Sequence, residues 1–260
     1  MAFLFKYIMM KKVCFNGCSF TVGEGFDQDQ RDQYIYDRLV SFECGFERTN
    51  IAKGGSSNYE IFMRSAQALK QDFDILFVQW SALNRIWLYP GPDCEWFINS
   101  GNKEFRYRSI HLNEKDQNRF RDILLMMNHD YHGIMSLIDY CDILNQLALH
   151  KNKQIVFING LVPWSDDLIN PLGDNLYESL SEYSRQILDF DSRDDDQIRC
   201  LFQSLQHKFA ELDQSRWVNI FESFKTLTID IGTQGHHPGI KSHEIMAQKI
   251  VNYLVQNALV

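Results

Sequence analysis

Two short segments at opposite ends of this 260-residue chain carry residue types suited to acyl chemistry. Residues 13–23 read Val-Cys-Phe-Asn-Gly-Cys-Ser-Phe-Thr-Val-Gly, an apolar run that breaks at Gly17 and presents Ser19 in a tight turn. Residues 235–239 read Gly-His-His-Pro-Gly, just ahead of the last helical pattern. A serine hydroxyl attacks an acyl carbon only when a base takes its proton as the new bond forms, and an imidazole is the usual base. The oxyanion that develops must be met by donors already in place. Ser19, where a helix would begin, offers its own N–H. The pair Gly54-Gly55 brings a second N–H close without side-chain obstruction, and Asn58 or Ser81 adds a side-chain donor. Plainer roles exist for the same residues: Ser19 as a helix N-cap and the glycines as an ordinary turn.

The elements that must position these groups are readable from hydrophobic periodicity. Apolar runs at residues 12–16, 48–52, 74–80, 154–159 and 217–221 predict five strands. Amphipathic stretches predict helices over 58–71, within 117–150, within 197–212 and over 242–256, the last with Met246, Ala247, Ile250, Val251 and Leu254 on one face. Strands alternating with helices imply a mostly parallel sheet covered on both sides. In such a sheet the ligand crevice lies beyond the carboxyl ends of the strands, and small or hydrogen-bonding residues fall at four of those ends: Ser19, Gly54 to Asn58, Gln79 to Ser81, and Asn159-Gly160. The segment Leu88 to Leu112, with Pro90 and Pro92, reads as an insertion (about 88–115) forming a lid or substrate wall. Trp80, Trp87, Trp96 and Trp164 are expected near the same edge, and Tyr131-His132 opens a helix there.

Composition narrows the class. No linker-like stretch divides the chain, so one domain over 1–260 is expected. Against 26 Lys and Arg stand 34 Asp and Glu, a net charge of −8 without a basic stripe, which argues against nucleic acid as a partner. The acidic tract Asp189 to Asp196 reads as a solvated loop. Six cysteines lie scattered without paired spacing, which predicts reduced thiols and a cytoplasmic location. The histidines at 236, 237 and 243 do not match zinc-ligand spacing, so neither a metal nor another cofactor is expected. No stretch approaches the roughly 20 apolar residues that span a bilayer, so no membrane is expected. The apolar N-terminus lacks a basic leader and a cleavage site. The expected partner is a small-molecule or carbohydrate ester.

Taken together, Asn16-Gly17-Cys18-Ser19-Phe20-Thr21, then Gly55-Ser56-Ser57-Asn58, then His237-Pro238-Gly239 with His243 and Ala247 beyond it, resemble the first, second and fifth sequence blocks of the SGNH (GDSL-type) hydrolases. That resemblance implies a flavodoxin-like three-layer α/β/α sandwich around a mostly parallel five-stranded sheet. It also implies ester or thioester hydrolysis through an acyl-serine, an O-acetyl group on a carbohydrate being one expected substrate. Position by position, it makes Ser19 the nucleophile, His237 rather than His236 the base, and Gly55 an oxyanion donor. Two positions depart from the pattern. Ser81 stands where the third block has asparagine, leaving Ser81 or Asn58 as the side-chain donor, with Asn84 and Arg85 as further substrate contacts. Gln234 stands three residues before His237, where the family has its acid. Gln234 can orient the ring but brings no charge, and Asp230 is the nearest upstream carboxylate. The same sequence also admits a binding protein that keeps the pocket without catalysis, and an acyltransferase.

Overall fold

The computed structural model describes residues 10–83, 130–161, 163–164, 195–233 and 237–260. Four strands form one parallel sheet: β1 (Lys12–Asn16), β2 (Glu47–Asn50), β3 (Ile75–Trp80) and β4 (Gln154–Asn159), in the order β2-β1-β3-β4. Every residue of β3 is buried, as is β1 from Val13 onward. Their continuous apolar runs are what a strand covered on both faces requires. At the centre the rings of Phe15 and Phe77, register partners on β1 and β3, stack with centroids 4.4 Å apart. The described helices are α1 (Ser19–Val22), α2 (Gln28–Tyr34), α3 (Tyr36–Cys44), α4 (Asn58–Ala68), α5 (Asp130–His150), α6 (Asp195–Glu211) and α7 (Ile240–Gln256). Helices α2, α3 and α7 pack together as one layer, and α4, α5 and α6 as the other. The result is a three-layer α/β/α sandwich.

The expected fifth strand is not formed among the described residues. Trp217 and Ser223 make isolated parallel bridges to Phe157 and Asn159, continuing the order of the sheet without a ladder. The cause is local. A 3-10 turn at Gln214–Arg216 runs directly into Trp217, and the Asn219 side chain accepts the Phe221 N–H at 3.0 Å, bending the chain where a strand would continue. Helices α2 and α3 fall in a stretch that the periodicity left without an element. Asp195 and Asp196, from the acidic tract, begin α6 rather than lying in a loop, whereas residues 189–194 lie outside the described residues. So does the expected insertion at 88–112, with Trp87 and Trp96. Among the described residues no helix is long and apolar enough to cross a membrane.

Polar side chains at the strand ends bracket the layers together. Asn16 Nδ2 donates to Ile61 O at 2.8 Å and to Ser65 Oγ at 2.7 Å, fastening β1 to α4. Asn159 Nδ2 donates to Ile220 O at 2.7 Å. Beneath α1, the buried Asp37 is paired with Arg48 and accepts from Asn50 Nδ2 at 2.8 Å, and the same Nδ2 donates to Thr21 O at 2.9 Å. Burial pushes the Asp37 carboxyl up, against the pull of Arg48.

Candidate active site

Beyond the carboxyl end of β1 the chain makes one helical turn and stops. Cys18, not Ser19, is the N-cap of α1, and it makes no side-chain cap bond. Ser19 is therefore the first helical residue and not the helix cap. Gly23 ends the turn in the left-handed conformation, and Glu24 N–H donates to Ser19 O at 2.9 Å. The turn is held from below. Thr21 Oγ1 donates to Gln79 Oε1 at 2.6 Å and is 2.9 Å from Tyr36 Oη. Ser19 is 3% exposed.

His237 belongs to a loop closed by a bridge between Ile231 and Pro238 and by the Gly232 N–H donating to His237 O at 2.9 Å. This loop docks on the serine turn. The imidazole meets the edge of Phe20, the residue after Ser19, with centroids 5.8 Å apart. The backbone at Gly25 lies so close that an added Cβ would stand 2.7 Å from His237 Cβ, and Gly25 has φ +107°, a conformation glycine permits. Thr233 Oγ1 donates to Gly25 O at 3.3 Å, tying the loop to the same turn. Residues 234–236 lie outside the described residues, and with them Gln234 and His236.

A carboxylate that sequence reading passed over faces this imidazole. Glu24 Oε2 lies 3.6 Å from His237 Nε2, with side chains 42% and 29% exposed. That separation is an ion-pair contact, too long for a hydrogen bond. The Glu24 carboxylate also rests on the loop after β2, where a Cβ on Gly54 would fall 1.5 Å from Glu24 Oε1. An acidic residue between two glycines, one turn after the candidate nucleophile, was the sequence signal available. The meeting with His237 depends on how two distant loops dock.

The oxyanion candidates divide. Gly55 takes φ +67° in the turn after β2, and Lys53 N–H donates to Gly17 O at 3.2 Å, so this turn lies against the end of β1. Asn58 is buried at the start of α4. Its Oδ1 accepts the Ser81 N–H at 2.7 Å and its Nδ2 donates to Ala82 O at 3.4 Å, so it joins α4 to the end of β3. Ser81 is 3% exposed, and its hydroxyl finds no partner among the described residues. It opens on a small hollow lined by Trp80, Leu83, Ile134, Leu137, Asn159 and Trp164. Asn84 and Arg85 lie outside the described residues, as do the side chains of Tyr131 and His132.

Asp230 is placed as the cap of α7. Its Oδ2 accepts the Lys241 N–H at 3.0 Å and its Oδ1 the Ser242 N–H at 2.8 Å, with the Ser242 hydroxyl on Oδ1 as well. Burial pushes the Asp230 carboxyl up, but the hydrogen bonds from Ser242 and Lys241 outweigh it and hold the group below the usual carboxylate range. His243 is a packing residue. It is fully buried against Phe26, Tyr36 and Phe224, and its Nδ1 accepts the Tyr36 N–H at 3.1 Å. Burial drives its pKa down to about 3. Among the described residues no group of three or more His, Cys, Asp or Glu is arranged to hold a metal ion.

No family model and no curated protein matches the chain. Solved structures do. A G-D-S-L family protein from Desulfitobacterium hafniense is similar at 10% identity and a TM-score of 0.47, over 94% of this chain and 99% of that one. A GDSL-like lipase from Bacteroides thetaiotaomicron is similar at 12% identity and 0.42, over 95% and 89%. An acetyl xylan esterase from the rumen bacterium Butyrivibrio proteoclasticus is similar at 16% identity and 0.43, over 95% of this chain and 64% of that one. These scores are all below 0.5, and the roles of individual residues rest on this chain's own contacts. Along nearly its whole length, the chain is similar to solved structures of SGNH/GDSL-type hydrolases and esterases.

Proposed function

We propose that the chain is a serine acyl hydrolase in which Ser19 is the nucleophile and His237 its base. The observation that carries this reading is the docking of the His237 loop on the Ser19 turn, through Phe20 and Gly25. Two segments that meet nowhere in the sequence converge beyond the carboxyl end of β1, the switch point where ligands of such sheets bind. Ser19 Oγ attacks the acyl carbon of an ester or thioester while His237 takes its proton. The imidazolium returns that proton to the departing alcohol or thiol, and water then releases the acid by the same steps. The N–H groups of Ser19 and Gly55 receive the oxyanion, with Ser81 the side-chain donor. Asn58 holds Ser81 in place, since its own amide already joins α4 to the end of β3. The acyl group we propose is a small one, such as an O-acetyl on a carbohydrate.

A fluorophosphonate probe is expected to label wild type on Ser19 and to leave Ser19→Ala unlabelled, read by peptide mass spectrometry. A folded wild type that takes no label contradicts the reading. One observation favours a second reading, a pocket that binds without hydrolysing: Ser19 is only 3% exposed. In that case ligand binding is unchanged in Ser19→Ala. Acyl transfer to an alcohol in place of water would show as product partitioning when acceptor alcohols are added.

A further inference from the structure

In a serine–histidine pair, the imidazolium formed during attack needs a negative charge beside it, and an amide in place of the acid costs about 10⁴ in turnover in the serine-protease case. Position 234 holds a glutamine, and the Asp230 carboxylate is occupied by the start of α7. Glu24 is otherwise placed. It leaves the end of α1 one turn after Ser19, crosses the loop at Gly54, and sets Oε2 at 3.6 Å from His237 Nε2. Two glycines make the approach possible. A side chain at position 54 would occupy the space of the Glu24 carboxylate, and one at position 25 would displace His237.

We infer that Glu24 supplies the negative charge that stabilises the His237 imidazolium, as a positioning residue for the serine reaction proposed above, on which this inference rests. In the attack, the Ser19 hydroxyl proton moves to His237 as the Oγ–carbon bond forms and the carbonyl electron pair moves onto oxygen. In the collapse, that proton goes to the leaving oxygen or sulfur as its bond to carbon breaks. Glu24 exchanges no proton in either step. At 3.6 Å it acts through charge, and in a partly shielded contact that attraction exceeds what fully hydrated ions feel. Charge and ring orientation, which one aspartate combines in a triad, are thereby divided between Glu24 and the loop that carries His237.

Around the pair, Phe20 meets the ring edge-on, and Gly25 and Gly232 approach with backbone. Lys53 precedes Gly54 on the loop that Glu24 touches, and Arg31 on α2 donates to Phe26 O at 3.5 Å.

The experiment combines NMR titration of the His237 ring with the pH profile of kcat/KM on p-nitrophenyl acetate, in wild type, Glu24→Gln and Glu24→Asp. The expected result is that Glu24→Gln lowers the ring's pKa, moves the acid limb of the profile to lower pH, and reduces the plateau roughly 10- to 100-fold through kcat. Glu24→Asp restores part of both. If Glu24→Gln does not fold, Gly54→Ala displaces the carboxylate while keeping it in the chain, and is expected to move titration and profile in the same direction. An unmoved ring titration overturns the inference while wild-type labelling of Ser19 leaves the serine reading standing. A loss of rate with an unmoved acid limb also overturns it, since that is a structural effect. A titration shift in a wild type that no fluorophosphonate labels overturns the serine reading, and the catalytic role of Glu24 with it.

Discussion

His237 and His243 lie on either side of Ile240, where the last helix begins, and the protein treats them in opposite ways. His243 is enclosed by three aromatic rings. One ring nitrogen accepts a backbone N–H, the other has no partner among the described residues, and burial holds the ring neutral far below its ordinary pKa. His237 sits on a loop at 29% side-chain exposure, beside a carboxylate and against the ring of Phe20, the residue after Ser19. A ring that cannot take up a proton near neutral pH cannot act as a base there, whereas one facing a carboxylate can. The difference makes the first a packing residue and leaves the second as the one proposed for chemistry, although a residue-by-residue reading shows two histidines of one region.

The comparison breaks most visibly under truncation. His237→Ala is expected to lower kcat by at least about 10²-fold, the lower range for loss of a general base, with little change in thermal stability. Rates on p-nitrophenyl acetate and a melting curve check both halves. His243→Phe is expected to do the reverse, leaving Ser19 labelling intact while changing how stability depends on pH. Because the folded pKa is depressed, the unfolded state binds a proton that the folded state refuses between pH 6.5 and about 3. The wild type therefore gains stability from this residue as pH rises, fully above 6.5, and loses it as pH falls toward 3. The slope in that window is at most ~1.4 kcal/mol per pH unit. Urea unfolding at several pH values should show that slope missing from His243→Phe. The smallest effect is expected from Gln234→Asp. With Glu24 already supplying charge, a second carboxylate near His237 should raise kcat/KM by less than about tenfold, one pKa unit's worth of interaction. A gain of several hundredfold would show that Glu24 does not fill the role.

Much of the fold was legible because its signals are local. The apolar runs of β1, β3 and β4 are buried on both faces, and the stripe on α7 follows its spacing closely. Helix α2, Gln28 to Tyr34, was not legible, since it buries no residue and so carries no apolar stripe; its start is set by the Asp27 side chain accepting the Gln30 N–H at 2.8 Å. The fifth strand failed on turn chemistry at Asn219 that an apolar run does not reveal. At the candidate site, the segments around Ser19 and His237 stand out because their neighbours are distinctive in sequence, and the fold docks one on the other. Polar residues at strand ends were a weaker guide. Asn16, Gln79 and Asn159 are buried and serve as brackets between layers, with Asn58 doing the same at the start of α4. The contact of Glu24 with His237 is not legible because its one local signal, an acidic residue between Gly23 and Gly25, does not name a partner that it meets only after two loops dock.

The central claim is an acyl group carried on Ser19, and trapping it is the most direct test. Wild type mixed with p-nitrophenyl acetate, quenched in acid within the first turnovers and digested, is predicted to carry one acetyl on the peptide containing Ser19, and Ser19→Ala none. Release of p-nitrophenol by the wild type with no acetyl on that peptide, or with the same acetylation in Ser19→Ala, would contradict it.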